Sequence, residues 1–182
     1  YGLFIGGKWV ASSSKERFVS LNPATKKPLA YFPNASKDDV LHAVLAAQGA
    51  FPAWSGVPAP KRGEILFRFA GLLRKNKESL AKLVSQEMGK VLPEARGDVQ
   101  EAVDVAEYMA GEGRRLFGHT TPSELPNKAA FTLRFPLGVC ALITPWNFPV
   151  AIPAWKTTAA LICGNTVVLK PSSDTPVCAA RF

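Results

Sequence analysis

The spacing of apolar positions changes twice along the chain. Over residues 1–34 they come in short runs between turn residues. Phe4-Ile5 and Trp9-Val10 flank Gly6-Gly7, a hairpin signal, and Phe18 to Leu21 and Leu29 to Phe32 flank the turn-rich NPATKKP. This pattern predicts an antiparallel flap or edge. From Ser36 onward the period is helical. Ser36 is placed as an N-cap, with Asp38 and Asp39 at the positive end of the helix dipole. Val40, Val44, Ala47 and Phe51 form one stripe, with His42 off it on the surface. Pro52 to Pro60 carries three prolines and reads as a linker. Three further helices are expected. The first covers about 61–75, with Ile65, Phe69, Leu72 and Leu73 inward. The second covers about 78–88, with Leu80, Leu83, Val84 and Met88 inward and Gly89 as its stop. The third covers about 93–116, with Val99, Val103, Ala106 and Ala110 as its stripe and Gly118 as its end.

The second change follows a polar loop, His119 to Lys128. Ala130 to Phe135 alternates, which gives a strand with one wet face. Gly138 to Thr144 contains the unbroken apolar run VCALI, expected of a strand buried on both faces. Val150 to Cys163 is helical, Gly164-Asn165 ends it, and Asn165 to Leu169 is a second buried strand. Strand, helix and strand in this order make a βαβ crossover, right-handed in a parallel sheet. Asp174-Thr175-Pro176 then starts another helix.

Composition narrows the classes. The 182 residues are 47% hydrophobic and 20% charged, an ordinary globular balance, and suffice for one good-sized domain or somewhat more. No apolar run reaches the roughly 18 residues of a membrane span, and residues 1–20 lack a signal-peptide layout. The net charge of +8 raises the question of a nucleic-acid partner. However, Lys61, Arg62, Arg68, Arg74, Lys75, Lys77 and Lys82 alternate with apolar residues at helical spacing, as on solvated faces. The expectation is therefore no nucleic acid and no membrane. Cys140, Cys163 and Cys178 show no metal-ligand or redox spacing, so no metal and no disulfide framework is expected. Isolated thiols suit a reducing cytoplasm, with Cys140 and Cys163 in the core. The many carboxylates (Glu87, Glu94, Asp98, Glu101, Asp104, Glu107 and Glu112) are read mostly as exposed helix-face charges.

Candidate chemistry gathers where ligands bind in open α/β sheets, at the carboxyl ends of the strands. One end reads Ile143-Thr144-Pro145-Trp146-Asn147 and the other Lys170-Pro171-Ser172-Ser173. There is no GxGxxG. Asn147 admits two readings: a preorganised amide donor for an oxyanion, or a cap for the following helix. Lys170 either bonds a ribose or phosphate or snorkels from a strand end. Trp146 either walls a cofactor site or packs the core. Phe148, Ile152, Trp155 and Lys156 share one helix face, as core or as a substrate channel.

The segment LGVCALITPWNFPVAIPAWKTTAALICGNTVVLKPSSDTP, together with FIGGKWV, NPAT and GEGRRLFG, closely resembles the aldehyde dehydrogenase superfamily over essentially the whole chain. GEGRRLFGHTTPSELPNK is similar to its succinate-semialdehyde and related bacterial branches. The resemblance implies an α/β fold with a parallel Rossmann-type βαβ sheet, an N-terminal helical layer and antiparallel flap and bridging strands, truncated relative to a complete member. Residues 1–118 would be the strands and helical layer, 119–136 the start of bridging and oligomerisation strands, and 137–182 the first βαβ unit of the NAD(P)-binding domain. It implies oxidation of an aldehyde, a semialdehyde among the candidates, to a carboxylic acid with NAD or NADP through a cysteine thioester, in a homo-oligomer (dimer or tetramer when full length). Asn147 matches the oxyanion asparagine. Ile143, Thr144, Pro145, Trp146, Lys170, Pro171, Ser172 and Ser173 match cofactor contacts. Phe148, Ile152 and Trp155 match the aldehyde tunnel, and Lys156 a lysine near the deacylation site. Ser173 stands where a ribose-binding glutamate is frequent, which implies tolerance of NADP. The family's nucleophilic cysteine and glutamate base lie downstream of Phe182, so residues 1–182 alone are expected to be inactive. A non-catalytic nucleotide- or partner-binding chain of the same fold is the alternative.

Overall fold

The computed structural model describes all residues 1–182. Two antiparallel hairpins open the chain. β1 (Leu3–Ile5) pairs with β2 (Lys8–Val10), and Gly6 and Gly7 take φ of +58° and +78° at the turn. Those angles are open to glycine and match the twist of a two-residue hairpin. β3 (Arg17–Leu21) pairs with β4 (Pro28–Pro33).

Four helices follow: α1 (Lys37–Ser55), α2 (Ala59–Lys75), α3 (Lys77–Met88) and α4 (Leu92–Glu112). Ser36 caps α1 in a capping box with Asp39, as the sequence predicts. Asp39 does more than the spacing foretold. Its carboxylate also accepts from Ser12 Oγ at 2.6 Å and Ser13 N at 2.9 Å, which ties the strands to the helical layer. α1 runs through Pro52 to Ser55, so the expected linker is shorter than Pro52 to Pro60. The α2 stripe is rotated by about one position from the expected one. Leu66, Ala70 and Leu73 are buried, while Ile65 and Leu72 are exposed. The cause is close packing on α4: a Cβ on Gly63 would stand 2.5 Å from Ala110 O, so the Gly63 edge of α2 faces inward. The α4 stripe is as expected, with Val99, Val103 and Ala106 fully buried in the main core alongside Leu80 and Val84 of α3. α4 stops at Glu112, with Gly113 as its C-cap, earlier than Gly118.

β5 (Thr120–Pro122) forms inside the expected polar loop and pairs with β6 (Ala129–Phe131). β6 is shorter than the expected 130–135 strand because it has only β5 as a partner, and both strands are exposed throughout. β7 (Val139–Ile143), α5 (Ala151–Ile162) and β8 (Thr166–Lys170) make the βαβ unit, with β7 and β8 parallel and Ile143 opposite Lys170. β7 is not buried on both faces: Ala141 and Ile143 are exposed, while Cys140 and Leu142, pointing the other way, are half-buried. α6 (Pro176–Arg181) follows.

Three residues read as surface charge are buried instead. Arg62 Nε donates to Ile162 O at 3.0 Å, and its Nη1 reaches Ser55 O and Val57 O, so one guanidinium joins the ends of α1 and α5. Asp98, with no exposed surface, accepts from Ala151 N at 2.8 Å at the start of α5. Glu87 accepts from Val177 N at 2.8 Å, Cys178 N at 2.7 Å and Ser20 Oγ at 2.6 Å at the start of α6. Neither helix has a capping side chain of its own. Orphan N–H groups of buried helix starts need acceptors, and the carboxylates of α3 and α4 supply them. Cys178 is buried beside this cap, whereas Cys163 is exposed and not in the core, because it follows the last residue of α5.

Two predictions follow from these contacts. The hydrogen bonds from Ser12, Ser13 and Ser36 hold the Asp39 carboxyl well below its ordinary value of 3.8. Its contribution is therefore fully present above that value and is lost as pH falls toward the folded-state value. Thermal unfolding of the intact protein and an Asp39→Asn variant should differ near pH 7 and converge on acidification below about pH 4; a gap that widens on acidification would contradict this. Burial holds the Asp98 carboxyl above its ordinary range, against the Ala151 hydrogen bond and the Lys90 charge. Asp98→Ala leaves the Ala151 N–H without an acceptor and should cost about 2 kcal/mol in denaturant unfolding, with Asp98→Asn costing less because it retains an acceptor.

Candidate functional site

The parallel register sets the site. Because Ile143 lies opposite Lys170 and Thr144 N donates to Lys170 O at 3.2 Å, both strands end at one level and open to the same side. The Thr144 hydroxyl there is buried without a partner. Pro145 and Pro149 fix φ on either side of Trp146, Asn147 and Phe148. The turn therefore leads into α5 in a restricted conformation.

Asn147 is exposed, and no protein group hydrogen-bonds its side-chain amide. It does not cap α5; that position belongs to Val150, and Asp98 performs the capping. The capping alternative for Asn147 is thereby removed. Its main-chain carbonyl accepts from Lys90 Nζ at 2.7 Å, and the same ammonium stands 3.8 Å from the centroid of the Phe148 ring. Lys170, the last residue of β8, is exposed and free of ion pairs. Ser172 Oγ accepts from Asp174 N at 3.2 Å, which shapes the loop between Lys170 and α6.

Trp146 and Ser173, one from each strand end, line one open groove of about 430 Å³, together with Ser20, Leu21 and Glu87. Trp146 is 51% exposed and is no core residue. On α5, Trp155 and Lys156 are exposed and Ile152 is half-buried, while Ala151, Ala154 and Thr158 form the buried face. The aromatic stripe thus stands off the core.

The unpartnered groups at this edge are an amide, an ammonium and a hydroxyl. All can donate, and they suit a ligand rich in acceptor oxygens, such as the ribose and phosphates of a dinucleotide. Lys90, Asp98 and Glu87 support this edge and were not singled out from the sequence. A signal for two of them existed. Asp98 falls on the α4 stripe between Ala95 and Ala102, and Glu87 on the α3 stripe after Leu80 and Val84. A carboxylate on a buried stripe needs donors from elsewhere.

Comparison with known proteins agrees with this architecture. The profile of the aldehyde dehydrogenase family matches residues 9–182. Malonate-semialdehyde dehydrogenase 1 of Geobacillus kaustophilus is 46% identical over 179 residues, 98% of this chain and 37% of that protein. The chain thus spans about a third of the length of such curated relatives. Among solved structures, an NADP-dependent enzyme of E. coli superposes with a TM-score of 0.94 at 38% identity, over 96% of this chain and 36% of that one. Betaine aldehyde dehydrogenase of Staphylococcus aureus in complex with NAD+ superposes with a TM-score of 0.93 at 33% identity, over 97% and 36%. With its α/β architecture and its sequence in agreement, the chain belongs to the aldehyde dehydrogenase family.

Proposed function

We propose that the intact protein oxidises an aldehyde to a carboxylic acid with NAD(P)+, and that this chain contributes the oxyanion donor and one side of the cofactor cleft. The observation that carries the reading is the pair of unpartnered donors, Asn147 and Lys170, at adjacent strand ends in a family of aldehyde dehydrogenases. In the overall reaction aldehyde, NAD(P)+ and water give carboxylate, NAD(P)H and two protons. Bound NAD(P)+ supplies the hydride acceptor. When the family's cysteine thiolate adds to the aldehyde carbon, negative charge develops on the aldehyde oxygen. Asn147 donates an amide N–H to that oxygen. As a neutral group it needs no deprotonation, and the prolines around it limit its reorganisation as charge appears. Lys170 holds the adenosine ribose, and Ile143, Thr144, Pro145 and Trp146 with Pro171, Ser172 and Ser173 line the cofactor side. Phe148, Ile152 and Trp155 line the aldehyde side.

Relatives named for malonate semialdehyde support a short aldehyde bearing a carboxylate as substrate. The nucleophile and the base belong to parts of the family beyond these residues, so residues 1–182 alone are inactive in this reading. Self-association of the intact protein through the β5–β6 arm is part of it, supported by exposed Phe131, Leu133 and Phe135. Free cysteines are in keeping with a cytoplasmic setting.

Turnover of malonate semialdehyde, succinate semialdehyde and propanal by the intact protein, followed as NAD(P)H absorbance, tests the reading. Asn147→Ala should lower kcat about 100- to 1,000-fold with the best of these substrates; wild-type turnover in that variant would remove the oxyanion role. Ser173 carries no charge to repel a 2′-phosphate, so NADP+ should be accepted. Ser173→Glu should raise KM for NADP+ at least about tenfold while sparing NAD+. Strict NAD+ use by the unaltered protein would contradict this assignment.

A further inference from the structure

We infer that Lys90 is a positioning residue for Asn147, acting through the main chain and not on substrate or cofactor. The inference rests on the oxyanion role proposed above and explains how the amide is aimed. α3 ends at Gly89 with φ +80°, a left-handed conformation that turns the chain out of the helix and sends Lys90 across to the Pro145–Pro149 turn. There its ammonium meets two neighbours at once, the Asn147 carbonyl at 2.7 Å and the Phe148 ring at 3.8 Å from the centroid. The bond to the carbonyl is charge-assisted and short, in the range of the stronger protein hydrogen bonds.

No other hydrogen bond reaches a main-chain group of Trp146 or Asn147. Thr144 is held to β8, and Ala151 is held to Asp98. Phe148 O accepts from Ile152 N, so between these anchors the backbone torsions of Trp146 and Asn147 have no other hydrogen-bonded restraint, rotation about the Asn147 Cα–C bond among them. That rotation also sets where the Asn147 Cβ stands relative to its carbonyl. Holding the carbonyl with one ammonium, and the next ring with the same ammonium, narrows it. The side-chain amide has no protein partner to orient it, so its direction depends on the backbone beneath it. Positioning errors of this kind are costly, because a displacement of about 1 Å in a reacting group can lower a rate about 100-fold.

A thermodynamic cycle in the intact protein tests this, using the aldehyde turned over fastest among the three above. Lys90→Met should lower kcat/KM for the aldehyde about 10- to 100-fold, while dinucleotide affinity measured by fluorescence titration stays within about twofold. Lys90→Arg should restore most of the loss, since a guanidinium can both donate to the carbonyl and stack on the ring. In an Asn147→Ala background, Lys90→Met should cost less than about twofold, because groups acting as a unit are non-additive. Lys90→Gln, which retains a neutral donor, runs the same cycle if the methionine variant does not fold. An undiminished kcat/KM in Lys90→Met, or a full loss that persists in the Asn147→Ala background, overturns the inference. Wild-type turnover in Asn147→Ala, or no turnover of any of the three aldehydes, instead overturns the reading on which it rests.

Discussion

A helix that begins inside a protein must find acceptors for its first N–H groups, and most of this architecture follows from how that demand is met. α5 and α6 both begin at the edge of the sheet where β7 and β8 end, and neither carries its own capping side chain. Water cannot serve there, since Val150, Ala151, Val177 and Cys178 are buried. The acceptors are Asp98 of α4 and Glu87 of α3, carboxylates carried on the apolar stripes of the helical layer. A buried carboxylate is costly unless its oxygens are bonded: both Glu87 oxygens accept N–H groups of α6, whereas Asp98 accepts from Ala151 through Oδ1 and its Oδ2 is left without a partner. The negative ends of these contacts also complement the positive ends of the two helix dipoles.

This arrangement frees the residues at the strand ends. With capping done from below, the side chains of Asn147 and Lys170 form no hydrogen bond within the chain and are exposed. The turn between β7 and α5 is then held by other groups: prolines in its own sequence, Asp98 at its end and Lys90 at its middle. The helical layer is in this sense the support of the site. Its close packing, with Gly63 of α2 against Ala110 of α4, sets how near the supporting helices stand to one another.

Much of this was legible in the sequence. The Gly6-Gly7 hairpin, the Ser36 cap, the α4 stripe and the βαβ unit follow from turn chemistry and period, both local properties. The misreadings have a common origin in contacts between distant segments. Arg62 reads as a surface charge because the Ile162 carbonyl that it meets lies 100 residues away. The α2 stripe is displaced because Gly63, not a large residue, marks the inward edge. β7 reads as doubly buried because apolar content does not show whether a layer covers each face. Asn147 also reads as a cap until the true acceptor, Asp98, is seen 53 residues before the Ala151 N–H that it receives. Lys90 left no periodic signal, because it acts from beyond the end of its helix.

The bond from Arg62 to Ile162 O spans 100 residues, and that from Cys178 N to Glu87 spans 91. A ribosome releases the helical layer well before it releases α5 and α6. During that interval Arg62 lacks the Ile162 carbonyl, Glu87 the Val177 and Cys178 N–H groups and Asp98 the Ala151 N–H, so the polar contacts of the layer are incomplete. Completion waits for chain made later, and contacts of such separation slow folding because loop closure precedes their reward. The last contacts of the layer therefore form only once the βαβ unit and α6 have been made.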